Sequence, residues 1–347
     1  MKVYPFFIPH YGCEERCVFC QQHRISGVLH VPTPAQVAEA LDGMLPPHGE
    51  GEVAFYGGSF TLLEASLQED YLNCIQPFIR AGRVAGIRVS TRPDGCGVDR
   101  IARLQQGGVT TVELGCQSFC DEVLLRAKRG HDAAAPARSV TLLRHAGFRV
   151  GLQLMPGLPG GSADEARRSL ATALALEPDF LRIYPAVVLA GTALEDLWRQ
   201  GEYVPLSLDD AVELCSELLW YCHDREVPVI RLGLQASTEL DGGSVVMAGP
   251  YHPAFGQLVR SRLWRRAMEL AALEKDARRV LVAFADLSDA LGHRRSNGDY
   301  LQRRFGGFEI VAAKDVVRHG FRLAGQTYDM LSKARYLQPL PMPYFSV

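Results

Sequence analysis

Six apolar, β-rich runs separated by helix-like stretches constrain this 347-residue chain more than any other feature. The runs are Val3–Pro9, Glu52–Tyr56, Gly86–Thr91, Thr110–Leu114, Phe148–Leu154 and Phe180–Tyr184. Between and after them lie helical patterns at Thr33–Leu45, Glu64–Ala81, Gly97–Gln106, Cys120–Leu125, Ala133–Ala146 and Ser162–Leu176. Strand and helix in strict alternation specify a parallel sheet with crossover helices. Six such units form a partial (β/α)6 TIM-like barrel, although an open doubly wound sheet has the same linear pattern. In either architecture the functional residues belong just past the carboxyl ends of the strands.

The first strand exit carries the most distinctive chemistry. Cys13, Cys17 and Cys20 fall in a C-x3-C-x2-C pattern. A structural zinc site needs a fourth ligand, and His23 is the nearest, with no second knuckle to match it. Three thiolates suit a [4Fe-4S] cluster better, because such clusters take cysteine ligands and a fourth iron is then left open. A non-catalytic iron-sulfur or zinc-binding scaffold is the alternative. With Phe19 before the last cysteine, the segment resembles the signature of the radical S-adenosylmethionine (SAM) superfamily. That resemblance implies SAM as second cofactor, reductively cleaved to methionine and a 5′-deoxyadenosyl radical, with an external electron donor of flavodoxin or ferredoxin type.

The other strand exits carry Gly57-Gly58-Ser59-Phe60, Thr91-Arg92-Pro93-Asp94 and Glu113 to Ser118. They continue with Met155-Pro156-Gly157 and Tyr184-Pro185. Gly57-Gly58 lets backbone approach a ligand without an intervening Cβ; an ordinary turn is the bland reading. Arg129 and His131 offer an anion contact or a solvated loop.

Taken in order with Leu154 to Gly160, Arg182 to Pro185, Gly191-Thr192 and Gly201 to Tyr203, these motifs resemble the radical SAM domain of the Elongator catalytic subunit and its bacterial relatives. The resemblance covers about residues 1–235. It implies that Cys13, Cys17 and Cys20 ligate the cluster and that Gly57, Gly58 and Ser59 pass the SAM methionine end. It also implies Gln117 and Ser118 near the ribose or carboxylate, and Met155 and Pro156 near the adenine. An oxygen-independent coproporphyrinogen oxidase-like enzyme is a second reading. No Arg/Gln-x-x-Gly-x-Gly run occurs in residues 236–347, so the resemblance does not extend to the Elongator subunit's acetyltransferase part.

Residues 236–347 read as a small α+β extension. Ala254–Glu274 is its main helix, preceded by His252, which either caps that helix or reaches the site. Strands are expected at Val280–Phe284, Phe308–Ala312 and Phe321–Leu323, and a helix near Asp299–Phe305. Arg294, Arg295, Arg303 and Arg304 could meet RNA phosphates or simply be solvated. Together with the Elongator resemblance, this implies an RNA or a small metabolite as the expected substrate class.

A net charge of −2 gives no global pull toward nucleic acid or membrane. The proline-interrupted start does not read as a signal peptide, and no stretch approaches the ~20 apolar residues of a membrane span. Nine cysteines without a regular framework fit a reducing compartment, hence cytoplasm. Cys74, Cys96, Cys116, Cys120, Cys215 and Cys222 are scattered, so a single cluster is expected.

Overall fold

The computed structural model describes residues 2–13, 17–23, 27 and 30–345. Glu14, Glu15 and Arg16 of the cysteine segment lie outside the described residues.

All six expected strands form: β1 (Val3–Phe7), β2 (Glu52–Tyr56), β3 (Gly86–Thr91), β4 (Val109–Gln117), β5 (Arg149–Leu154) and β6 (Phe180–Ile183). β7 (Val188–Leu189) leaves this sheet and pairs antiparallel with β9 (Val246–Ala248). β8 (Val229–Leu232) returns to it, parallel to β6. Among the described residues the sheet runs β1-β2-β3-β4-β5-β6-β8, parallel throughout.

That order decides between the two architectures. A doubly wound sheet reverses direction at a switch point. Here every strand lies beside its predecessor, so right-handed connections place all helices on one face. The sheet curls away from them into a half-barrel, with β1 and β8 as its two edges. The six units are as expected, and β8 adds a seventh strand.

The helices follow the expected segments. They are α1 (Pro34–Met44), α2 (Ala65–Asn73), α3 (Gln76–Arg80), α4 (Val98–Gln106), α5 (Asp121–Arg126), α6 (Ala135–His145) and α7 (Ala163–Ala175). α1 starts at a capping box in which the Thr33 hydroxyl accepts from the Gln36 N–H and the Gln36 side-chain oxygen accepts from the Thr33 N–H. The single helix expected over Glu64–Ala81 is instead α2 and α3, broken at Cys74 and Ile75. Pro77 causes the break: it has no N–H to bond the residue 73 carbonyl and disfavours helical backbone just before itself.

α8 (Ala193–Arg199) and α9 (Leu208–Asp224) follow, then the one-turn α10 (Thr238–Asp241) and the long α11 (Phe255–Lys275). α11 packs between α9 and a second sheet, order β11-β10-β12-β13. Those strands are β10 (Arg279–Ala283), β11 (Glu309–Ala313), β12 (Gly320–Leu323) and β13 (Gln326–Asp329); the last was not anticipated. Helices α12 (Leu287–Leu291), α13 (Ser296–Phe305) and α14 (Met330–Lys333) complete the chain. Trp264 and Phe321 are fully buried and share one apolar core with Val53, Val112 and Leu152 of the barrel. Among the described residues, no helix is long and apolar enough to cross a membrane.

Candidate functional site

The half-barrel encloses a cavity of about 820 Å³, within the range of small-molecule sites. Cys13, Cys17 and Cys20 all face it from the loop after β1, and Gly57, Gly58 and Ser59 face it from the exit of β2. Gln117 from β4 and Met155 after β5 complete the same rim. Ser118 and Pro156 are not among its lining residues, nor are His23, His131 and His252.

Long-range contacts shape the cysteine loop. The Cys13 thiol lies 3.4 Å from the Ser59 hydroxyl, and Gln22 Nε2 donates to Cys20 Sγ at 3.5 Å. Val18 is buried, and its N–H donates to the Ala127 carbonyl at 3.1 Å. Its carbonyl accepts from Leu194 N–H at 2.8 Å. Gly58 is where loop and β2 exit interlock. A Cβ there would collide with the Tyr11 carbonyl oxygen and come within 2.8 Å of that of Ile8. Gly58 lines the cavity, and its missing Cβ also makes room for the cysteine loop. Gly57 has φ +91°, backbone that favours glycine.

Arg129 supplies a fixed cation. Nη1 donates to Cys17 Sγ at 3.1 Å and Nη2 to the Gly115 carbonyl at 2.5 Å. His131, 3.3 Å from Arg129 Nε, is pushed down to about 4 by burial and by that guanidinium. Burial pushes the Cys20 thiol up to about 12, and the neighbouring Cys17 adds to the shift. A metal reverses that preference, since a coordinating thiol is deprotonated outright.

Among the described residues, no three Cys, His, Asp or Glu side chains already stand in a metal-site arrangement. The three thiols line one cavity, with the Arg129 guanidinium against Cys17. As a donor set they fit a thiolate-ligated iron-sulfur cluster and lack the oxygen ligands that hard cations require.

Gln117 sits at a backbone irregularity. The register between β4 and β5 shifts between Gly115 and Gln117, and Gln117 has φ +68°. Strain of this kind concentrates at ligand sites. The Gln117 carbonyl accepts from Met155 N–H at 2.8 Å, and its Oε1 accepts from Gln153 Nε2 at 3.0 Å. Ser118 turns outward, donating to Glu165 Oε1 at 2.6 Å behind the sheet. His252 caps the start of α11, its Nδ1 accepting from Ala254 N–H at 3.0 Å.

Deeper in the lumen lies a charge network that the motifs did not reveal. Arg88 pairs with Glu52 at 2.6 Å and with Glu113 at 2.8 Å. Arg182 Nε lies 2.9 Å from Glu113, and Arg182 Nη2 donates to the Tyr56 hydroxyl at 2.7 Å. Tyr56 donates to Glu113 at 3.1 Å, while Thr110 and Thr111 donate to Glu52 at 2.7 and 2.6 Å. The available signal was one charged residue inside each of several apolar strands. Such residues are rarely buried unless paired.

A parallel half-barrel with three thiols at the carboxyl rim defines the class. Residues 7–173 match the family described as "Radical SAM superfamily", and residues 178–265 match "Radical_SAM C-terminal domain". The chain belongs to the radical SAM superfamily. It is 35% identical to the "tRNA uridine(34) acetyltransferase" of Methanocaldococcus jannaschii over 207 residues, 54% of this chain and 38% of that protein. It is 34% identical to "Elongator complex protein 3" of Homo sapiens over 137 residues, 39% of this chain and 25% of that protein. The match thus spans well under half the length of these relatives.

Among solved structures, "The archaeal Methanocaldococcus infernus Elp3 with N-terminus deletion (1-46)" superposes with a TM-score of 0.61 at 24% identity. That likeness covers 76% of this chain and 62% of that one. The Escherichia coli coproporphyrinogen III oxidase HemN gives a TM-score of 0.50 at 16% identity, over 93% of this chain and 66% of that one. Both likenesses show the fold.

Proposed function

We propose that the chain holds a [4Fe-4S] cluster on Cys13, Cys17 and Cys20 and uses it to cleave SAM for a radical reaction on a nucleoside of RNA. The observation that carries this is one cavity facing three thiols, the Gly57-Gly58 turn, Gln117 and Met155 at once. When bound, the cluster supplies the electron that breaks the SAM sulfonium bond, giving methionine and a 5′-deoxyadenosyl radical. The protein binds, orients and excludes water. Gly57 and Ser59 offer backbone to the methionine end, and Gln117 offers its amide to the ribose or carboxylate. Met155 offers an apolar contact to the adenine, and Arg129 balances the charge of the thiolates.

RNA as the substrate class is supported by the similarity to a protein named for transfer-RNA uridine, along the matched portion alone. The proposal covers the radical step and not acetyl transfer. It includes an external electron donor of flavodoxin or ferredoxin type, a cytoplasmic setting, and a division into a core at 1–235 and an extension at 236–347. The test is anaerobic reconstitution followed by dithionite, SAM and bulk transfer RNA. The expected products are methionine and 5′-deoxyadenosine, both lost in Cys13→Ala, Cys17→Ala and Cys20→Ala together with bound iron. Iron binding without 5′-deoxyadenosine under all these conditions overturns the enzymatic reading; tightly held zinc in place of iron overturns the cluster. Mass spectrometry of transfer-RNA nucleosides from a deletion strain tests the substrate.

A further inference from the structure

The cavity wall is rich in arginine. Among the described residues six arginines line it, against the two carboxylates Glu113 and Asp179. Arg88 and Arg182 are neutralised in the Glu52–Glu113 network. Arg92 pairs with Asp94 at 2.7 Å, and Arg149 faces Asp179 at 3.9 Å. Arg129 holds Cys17 and Gly115. The sixth, Arg231 on the edge strand β8, has no hydrogen-bond or ion-pair partner among the described residues.

Its orientation is built by a strand irregularity. Leu181 pairs with Val229, but the next residue, Arg182, pairs with Arg231, so Ile230 is bulged out. A bulge of this kind re-aims side chains at barrel rims. Here it brings Arg231 into register beside Arg182, with both side chains on the cavity face. Arg231 is also within electrostatic range of the Tyr184 hydroxyl, to which Arg182 Nη1 donates at 3.3 Å. Two like charges abreast on neighbouring strands are destabilising by themselves. The arrangement leaves a guanidinium and a phenol facing space that no described residue fills.

We propose that Arg231, flanked by Tyr184 and Arg182, is an anion-binding subsite that anchors a phosphate or carboxylate of the substrate. The subsite is on β8, the edge strand at the open side of the half-barrel. A guanidinium suits this role because its planar fork binds phosphate or carboxylate through two parallel hydrogen bonds. The inference rests on the cavity being the reaction site proposed above. Binding is read without turnover, so the two proposals fail separately.

The test is calorimetric titration of the full reconstituted chain with inorganic phosphate, uridine 5′-monophosphate, glutarate and uridine. Thermal melting of the ligand-free protein runs in parallel. Wild type is expected to bind at least one of the three anions, and Arg231→Gln to weaken it about tenfold or more, the scale of one lost charge-assisted contact. Uridine should be indifferent to the substitution. Arg231→Lys should retain part of the affinity, and ligand-free Arg231→Gln should melt no lower than wild type, since an unpaired charge has been removed. Binding of phosphate and uridine 5′-monophosphate identifies a phosphate as the anchored group; binding of glutarate alone identifies a carboxylate. No anion binding by wild type, equal binding by Arg231→Gln, or a markedly lower melting point of that variant overturns the assignment.

Discussion

The guanidinium of Arg129 bridges two points far apart in sequence, the Gly115 carbonyl at 2.5 Å and the Cys17 thiol at 3.1 Å. It therefore ties the exit of β4 to the middle of the cysteine loop. A hydrogen bond involving a charged group contributes about 1.5–3 kcal/mol. Arg129→Ala should lose stability in that range by urea denaturation and retain less iron after reconstitution. Arg129→Lys keeps the charge but cannot reach both acceptors as a fork, so an intermediate loss is expected. An unchanged denaturation midpoint in Arg129→Ala would show that the bridge does not hold the loop.

Gly58 and Gly43 make a matched pair. Gly58→Ala drives a Cβ into the Tyr11 and Ile8 carbonyls. Overpacking against backbone costs about 1–3 kcal/mol, and here the strain falls on the loop that carries Cys13. Gly43 lies in α1, where an added Cβ meets nothing within 4 Å. Gly43→Ala should stabilise the chain by about 0.5–1 kcal/mol. Equal melting temperatures for the two variants would contradict this account.

Arg88 compensates two buried carboxylates, Glu52 and Glu113. Breaking a buried pair from one side costs about 3–5 kcal/mol, because a desolvated charge is left behind. Arg88→Met should show that loss in chemical denaturation. Adding Glu52→Gln should recover part of it, leaving a coupling energy between the two sites. Strictly additive losses would mean that the charges do not act as one network.

Glu165, which accepts hydrogen bonds from Ser118 and Ser169, has its carboxyl raised above 4.5 by burial, against the opposing effect of those two hydroxyls. The native state therefore binds this proton more tightly than the unfolded chain. Its contribution is complete below 4.5 and is lost as pH rises through the elevated value. Wild type should thus lose stability relative to Glu165→Gln as pH rises from 4.5 toward neutrality. Urea titrations across that interval test it, and a difference that is flat or grows with pH refutes it.

The strand positions were legible because each run combines β-branched or aromatic residues with a polar exit. Strand order was not, since a two-residue period says which face is buried and nothing about which strand is next door. The thiols, Gly57 and Gln117 line the cavity, where residues just past a strand exit are expected. Ser118 lies outside that lining for a local reason. Glu113, Gly115 and Gln117 face the cavity at every second position, so the next residue, Ser118, falls on the opposite face and meets Glu165. Arg88, Glu113 and Arg182 were each visible as a charge in an apolar run. Their partners were not, because the contacts join residues on different strands. Pro77 was visible too, and its helix-breaking consequence could have been read directly.

The interlock of the cysteine loop has a consequence for synthesis. The loop leaves the ribosome ahead of every long-range contact that holds it. Its supports come later: Ser59 and Gly58, then Ala127 and Arg129, and finally Leu194 bonded to Val18. At about 5–20 residues per second, many seconds separate the first cysteine from the last support. The thiols are thus exposed early and enclosed late. Cluster loading and barrel closure become competing events in time, and a stalled or truncated chain ending before Leu194 presents all three thiols without the supports that come after them.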